Sequence, residues 1–135
     1  MNQYKSKIKG FTEEVWNKKN FQVFDKMIHP DFQYNDPIYP NVNSKDEYKA
    51  FISRIQTTSP DTNYEMIDII AENEKVVVLY SWTGTPVEEL GGVPPTGKKL
   101  EHKGVAIYYF DNDQVIKIWD IWDRFSVLKQ LGIIS

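Results

Sequence analysis

The sequence predicts an α+β domain with helices packed on one face of a curved antiparallel sheet. Apolar residues recur at helical spacing up to about Ile55. From Thr62 the period changes to that of strands, with turn residues between the runs. The chain then closes on a long hairpin and a short helix, from Lys99 to Ser135.

Each element has its own signal. Tyr4, Ile8, Phe11 and Val15 define an amphipathic helix ending near Lys18. Asn20 can cap a shorter helix carrying Phe21, Phe24, Met27 and Ile28, and Pro30 ends it. The stretch from His29 to Pro40 holds three prolines and reads as loop or irregular strand. Ser44 with Glu47 fits a capping box, and Tyr48, Phe51, Ile52 and Ile55 follow on one helical face. Thr57 to Pro60 breaks that helix. Asn63 to Ala71 is the first strand and Glu72-Asn73-Glu74 its turn. Lys75 to Thr85 is the second strand, followed by a Gly/Pro-rich loop from Pro86 to Gly97. The hairpin runs from Lys99 to Phe110, turns at Asp111-Asn112-Asp113, and returns from Gln114 to Asp123. Asp123 is placed to cap a terminal helix starting near Phe125.

At 135 residues the whole chain, 1–135, reads as one domain with a core of its own. It has no cysteine, which removes disulfides, thiolate metal sites and a cysteine nucleophile. A net charge of −3 argues against non-specific nucleic-acid binding. No apolar run reaches the roughly 18 residues that span a membrane. The first residues are polar and lack a signal-peptide core, so cytoplasmic residence is the expectation. Four Trp and eight Tyr are more aromatic surface than a minimal core requires, which suits an aromatic-lined cavity or an interface.

The second hairpin strand carries the chemistry. Its one face runs Ile116, Ile118, Asp120, Trp122, so a carboxylate sits within an apolar stripe. Such a group must be paired, hydrogen-bonded or neutral, and is a candidate for acid–base work. It could also be held by backbone or a tryptophan N–H and serve only the strand end. A three-residue turn would pair Phe110 with Gln114. Ala106 would then oppose Ile118, Gly104 would oppose Asp120, and His102 would oppose Trp122. In that register His102 is a diagonal neighbour of Asp120, and Gly104 leaves space beside the carboxylate. Asp36-Pro37 is explained by a turn, and His29 by a helix C-terminus. The two histidines lie in different elements, so no metal site is expected. Gly91-Gly92 and Gly97 lack phosphate-loop spacing and read as a mobile flap over a cavity mouth. Val105, Ile107, Tyr109, Trp119 and Ile121 form a second apolar face, most simply covered by a second copy of the chain.

Several runs together resemble a known family. These are Pro30-Asp31-Phe32, Asn35-Asp36-Pro37, Thr83-Gly84-Thr85, Gly92-Val93-Pro94-Pro95-Thr96-Gly97-Lys98, Gly104-Val105-Ala106-Ile107, Trp119-Asp120 and Gln130-Leu131-Gly132. They span about residues 28 to 132. The chain resembles the SnoaL-like polyketide (ester) cyclases, within the superfamily that shares the nuclear transport factor 2-like fold with ketosteroid isomerases. The resemblance implies a cone: a curved antiparallel sheet around a pocket closed by N-terminal helices. It implies a cofactor-free and often dimeric protein whose aspartate acts as acid and base in ring closure. Asp120 is the matching position. The cyclases carry a histidine on the preceding strand, at the position of Ala106 in this register. His102 stands four residues earlier, and Asn35 stands where many relatives have histidine.

The reading that follows is a cofactor-independent cyclase or isomerase acting on a small apolar carbonyl compound. Asp120 removes a proton alpha to the carbonyl, and His102 assists as acid or enolate stabiliser. Trp82, Trp122, Trp119, Tyr108, Tyr34 and Phe32 shape the pocket, though Trp119 faces away from Asp120 and also suits an interface. The expected partners are a small apolar molecule and a second copy on the outer sheet face, with no nucleic acid and no membrane. The alternative is a ligand-binding or dimerisation domain of the same fold without turnover.

Overall fold

The computed structural model describes residues 3–90, 92 and 94–135. Helix α1 spans Gln3–Phe11 and runs into a wider π-helical turn over Thr12–Asn17. Helix α2 (Phe21–Met27) leads into strand β1 (Ile28–Asn35), and helix α3 (Lys45–Thr58) follows. Strands β2 (Asn63–Glu72), β3 (Lys75–Gly84), β4 (Leu100–Asp111) and β5 (Gln114–Trp122) complete an open, curved sheet, and helix α4 (Arg124–Gln130) ends the chain. The strand order is β1-β5-β4-β3-β2.

The helix caps form as their residue types require. The Asn20 side chain accepts from the Gln22 N–H at 3.2 Å. The Ser44 hydroxyl accepts from the Glu47 N–H at 3.2 Å, and the Glu47 carboxylate accepts from the Ser44 N–H at 3.0 Å. Asp123 accepts from the Ser126 N–H at 3.0 Å and starts α4. Each of these removes one of the unpaired donors at a helix start.

Three regions differ from the sequence expectation. The first helix is regular only to Phe11. Beyond it the turns widen, and Thr12, Val15 and Trp16 continue the buried face of Ile8 and Phe11. The last inward carbonyls are left without helical partners. Gln56 of α3 supplies them: its Nε2 donates to the Val15 and Trp16 carbonyls at 2.8 and 3.0 Å.

The first part of the proline-rich segment, to Asn35, belongs to strand β1, which runs parallel to β5 at the sheet edge, so the sheet is mixed rather than wholly antiparallel. The register is irregular between Ile28 and Gln33. Pro30 lies in that interval, and without an N–H it is tolerated only at such an edge.

The closing hairpin also departs from the expected register. The turn has two residues, Asn112 and Asp113, with Asp111 opposite Gln114 and Asn112 at φ 57°. Asparagine tolerates this left-handed conformation better than most residues. A bulge then follows: Tyr109 opposes Lys117 while Phe110 opposes Val115, which leaves Ile116 extra. Beyond it Ala106 opposes Asp120, Gly104 opposes Trp122 and Tyr108 opposes Ile118. The expected pairing of Gly104 with Asp120 and of His102 with Trp122 is thus off by two residues. Beyond the bulge the faces are unchanged, because a two-residue shift keeps each side chain on its side; before it the shift is one residue, and Val115 faces the core where Ile116 was expected.

The inner sheet face packs Val76, Val78, Ala106, Tyr108, Phe110, Val115 and Ile118 against Ile8, Phe11, Val15, Phe24 and Ile52 of the helices. The outer face carries cross-strand rows of apolar residues. One row is Leu79–Val105–Ile121 and the next is Val77–Ile107–Trp119. Ile121 is 53% exposed and Trp119 41%. Among the described residues no helix is long and apolar enough to cross a membrane.

The Gln56 bridge makes a testable point about the helical layer. Gln56→Leu keeps the volume but leaves two buried carbonyls without donors. It is expected to lower stability by about 2 kcal/mol, read from the urea midpoint at unchanged slope. An unchanged midpoint would mean that water replaces the amide there.

Candidate active site

Strand alternation on β5 turns Ile118, Asp120 and Trp122 toward the helices. Two tyrosines converge on Asp120. Tyr34 reaches it from edge strand β1, where it lies beside Ile118, and donates from Oη to Asp120 Oδ2 at 3.1 Å. Tyr80 reaches it from β3 and donates to Oδ1 at 2.7 Å. Tyr80 has to cross β4 to do so, and it crosses at Gly104, its partner in the ladder. A Cβ on Gly104 would lie 2.5 Å from the Tyr80 Oη and 2.6 Å from its Cζ. The space that Gly104 leaves is filled by a phenol ring and not by open cavity.

A second acid stands close by. Asp36 follows β1 and is only 4% exposed. Its Oδ1 accepts from the Ile38 N–H at 2.9 Å, the turn contact expected of Asp before Pro. Its Oδ2 accepts from the indole N–H of Trp122 at 3.0 Å and lies 3.3 Å from the Tyr34 Oη.

These groups line one cavity of about 100 Å³. Its walls are mainly aromatic, with Trp16, Tyr39, Phe51, Tyr64, Trp82 and Trp122 among them, and Leu100 and Val127 add aliphatic surface. Pro86 and Leu90 of the loop after β3 also line it. Gly91 and Val93 lie outside the described residues, and with them part of the proposed flap. His102 lies between two indoles, with ring centroids 5.2 Å from Trp82 and 4.6 Å from Trp122. The Trp82 Nε1 and the His102 Nδ1 are buried and have no hydrogen-bond partner. No group of three or more His, Asp or Glu among the described residues could hold a metal ion.

Burial sets the proton affinities. Loss of water raises the Asp120 carboxyl from 3.8 to about 7. The Tyr80 hydrogen bond opposes that rise, the Asp36 charge adds to it, and the Tyr34 hydrogen bond opposes it. Asp36 is also raised by burial, against the donors that hold its anion. Burial lowers His102 from 6.5 to about 4, although Asp123 and Glu101 pull the other way. Its imidazole is therefore neutral at neutral pH.

Of the residues expected at the site, Asp120, His102, Trp82, Trp122 and Tyr34 all line the cavity. Three do not. Trp119 points to the outer face and is 41% exposed. Tyr108 is buried in the core beside Phe11, with ring centroids 6.3 Å apart. Phe32 is buried against Tyr48 at 5.2 Å. The expected diagonal contact between His102 and Asp120 is also absent from the ladder, because Ala106 faces Asp120 and His102 pairs with Trp82. Sequence reasoning missed Asp36 and Tyr80. Asp36 was hidden by a sufficient turn explanation. Tyr80 sits in an apolar run, and only the paired strand's Gly104 could have signalled its path.

The fold, a curved five-stranded sheet with N-terminal helices, is that of nuclear transport factor 2-like proteins. Within that class the chain belongs to the SnoaL-like polyketide cyclase family, whose model matches residues 6–131. Among solved structures, a candidate polyketide cyclase from Acidithiobacillus ferrooxidans is 30% identical, with 99% of this chain and 97% of that one covered and a TM-score of 0.85. IdmH, a candidate polyketide cyclase from Streptomyces antibioticus, is 24% identical over 97% of this chain and 99% of that one, with a TM-score of 0.84. TsrD from Streptomyces laurentii is 20% identical over 99% of both chains, with a TM-score of 0.87. The last two likenesses speak to the fold alone. No curated protein sequence matches the chain.

The acid and the imidazole pull stability in opposite directions. Between about pH 3.8 and 7 the folded chain holds a proton on Asp120 that the unfolded chain has released. That contribution is complete below about 3.8 and is lost as the pH rises through 7. Between about pH 6.5 and 4 the unfolded chain protonates His102 and the folded chain does not, so stability falls as the pH falls. Relative to the parent, Asp120→Asn should gain stability as the pH rises from about 4 to 7. His102→Gln should gain as the pH falls from about 6.5 to 4. Urea unfolding at a series of pH values checks both, and difference curves flat with pH would refute the assignments.

Proposed function

We propose that this chain is a cofactor-independent enzyme that moves a proton on a small, largely apolar carbonyl compound, with Asp120 as base and then acid. One observation carries the reading: a carboxyl group poised near neutrality inside an aromatic cavity, between two phenol donors. Ionised Asp120 takes a proton from the carbon alpha to a carbonyl, and the C–H electron pair passes into the enolate. The enolate carbon then attacks a second carbonyl of the same molecule, and Asp120 returns its proton to the new alkoxide. Return of the proton to a different carbon would give isomerisation instead. His102, neutral at working pH, acts as a hydrogen-bond donor to developing negative charge and not as a source of protons. The unpartnered N–H of Trp82 is a second donor available to a ligand oxygen.

The test is Asp120→Asn, which keeps shape and removes the base. With a set of ring-closable di- and triketones, turnover should fall by about 100-fold or more, while quenching of tryptophan fluorescence by the same compounds persists. Full activity in the variant would end the proposal. Binding without turnover in the parent would favour the ligand-binding alternative.

We further propose that two copies associate through the outer sheet face. The support is the two apolar rows that cross β3, β4 and β5, in which Leu79, Val105, Trp119 and Ile121 are exposed. In sedimentation the parent should run at twice the 15.8 kDa chain mass, and Ile121→Lys at the chain mass itself. A monomeric parent at tens of micromolar would count against this.

A further inference from the structure

Tyr34 has one phenolic hydrogen and two carboxyl oxygens within reach. Asp120 Oδ2 is 3.1 Å away and Asp36 Oδ2 is 3.3 Å away. The hydrogen can serve only one of them. With both acids ionised, the other contact sets a phenol lone pair against a carboxylate oxygen. One proton on Asp120 Oδ2 removes the conflict. Asp120 then donates to Tyr34, and Tyr34 donates to Asp36. Asp36 is the better anion of the two. Apart from Tyr34, it accepts from the Ile38 N–H and from Trp122 Nε1, at 2.9 and 3.0 Å. Among the described residues, Asp120 has only Tyr80 besides Tyr34, at 2.7 Å.

We infer that Asp36, Tyr34 and Asp120 form one proton-sharing unit, with Asp36 as the standing anion, Tyr34 as the bridge and Asp120 as the group that gains and loses the proton. Its meaning for catalysis rests on the reading of Asp120 as the base; Asp36 and Tyr34 are positioning residues. When Asp120 loses its proton, the Tyr34 hydroxyl turns from Asp36 to Asp120, and no heavy atom has to move. Asp36 therefore senses the protonation of Asp120 through the bridge.

Few other groups near the pair can change charge around neutral pH. Tyr48 comes from α3, Tyr64 from β2, Tyr80 from β3, Tyr108 from β4, and Tyr39 follows Asp36 in the turn. Burial holds all five phenols, and Tyr34 with them, in the protonated form. His102 on β4 lines the same cavity and stays neutral. Among the described residues lining the cavity, this leaves Asp36 as the acid whose charge Asp120 feels most directly.

The experiment is a carboxyl-carbon NMR titration of aspartate-labelled, ligand-free protein, with Asp120→Asn and Asp36→Asn as assignment controls. It needs no substrate, so its failure is separate from failure of the catalytic proposal. In the parent, the Asp36 signal should show a small step at the midpoint of Asp120. Tyr34→Phe keeps the ring that stacks on Tyr48 at 4.3 Å and removes only the hydroxyl. In this variant the Asp36 step should shrink to what the charge of Asp120 alone transmits, and the Asp120 midpoint should rise by about one pH unit, because its anion loses a donor. Asp36→Asn should lower the Asp120 midpoint, because a neighbouring negative charge is gone. A merely structural Tyr34 would leave both signals as in the parent, and that result overturns the unit. So does an Asp120 midpoint that does not fall in folded Asp36→Asn. If Asp36→Asn does not fold, the Tyr34→Phe titration decides alone.

Discussion

Taking a carboxyl group out of water costs several kcal/mol unless it is neutral or well hydrogen-bonded, and the rest of this structure is arranged around that constraint at Asp120. Tyr80 can reach the carboxyl only because Gly104 has no side chain. Tyr34 can reach it only because the proline-rich segment is drawn in as a parallel edge strand beside β5. The rings themselves are held by further rings: Tyr64 stacks on Tyr80 at 4.6 Å and Tyr48 on Tyr34 at 4.3 Å. The hydrogen bonds to one acid thus recruit β1, β2, β3 and α3 into a single aromatic assembly. The Gln56 bridge fixes the π-helical turn that brings Trp16 to the same cavity.

The elements of this fold were largely legible because each rests on a local signal. Caps at Asn20, Ser44 and Asp123, the change from helical to strand period at Thr62, and the turn before Gln114 all depend on neighbours in sequence. The hairpin register was not legible. Its turn has two residues instead of three, and the bulge at Ile116 adds a residue that no local pattern announces. The two effects combine to a shift of two, so Asp120 and Trp122 still face inward as the alternation required. The shift put Ala106 across from the acid and Val115, not Ile116, on the inner face before the bulge.

Pocket membership was less legible than the inward face, since an inward side chain can enter the cavity or the core. Tyr108 and Phe32 illustrate this. Both point inward, and both are covered by helical aromatics, Phe11 and Tyr48. Trp119 follows from strict alternation as an outward residue, and the structure puts it there. Asp36 is the instructive miss. Its turn role is real, since one oxygen does accept from Ile38 N–H. A carboxylate has two oxygens, however, and the second is turned to Trp122 and Tyr34 inside the cavity. One adequate local explanation leaves half of such a group unexplained.

The distribution of charge in the cavity bears on the chemistry proposed for it. Its lining has two carboxyl groups and an uncharged imidazole, and no lysine or arginine among the described residues. A reaction that created net charge there would face the same desolvation cost that raises Asp120. Transfer of a proton from a carbon acid to ionised Asp120 creates none, because the negative charge moves from carboxylate to enolate within one enclosed volume. Of the donors in place for the anion, Tyr34 then turns its hydrogen to Asp36, and Tyr80 is freed from a neutralised Asp120. The Tyr80 hydrogen becomes available as charge appears on the substrate. Neutral donors suit this exchange better than a fixed cation would. A buried cation would hold Asp120 ionised and lower its affinity for the proton that it has to take.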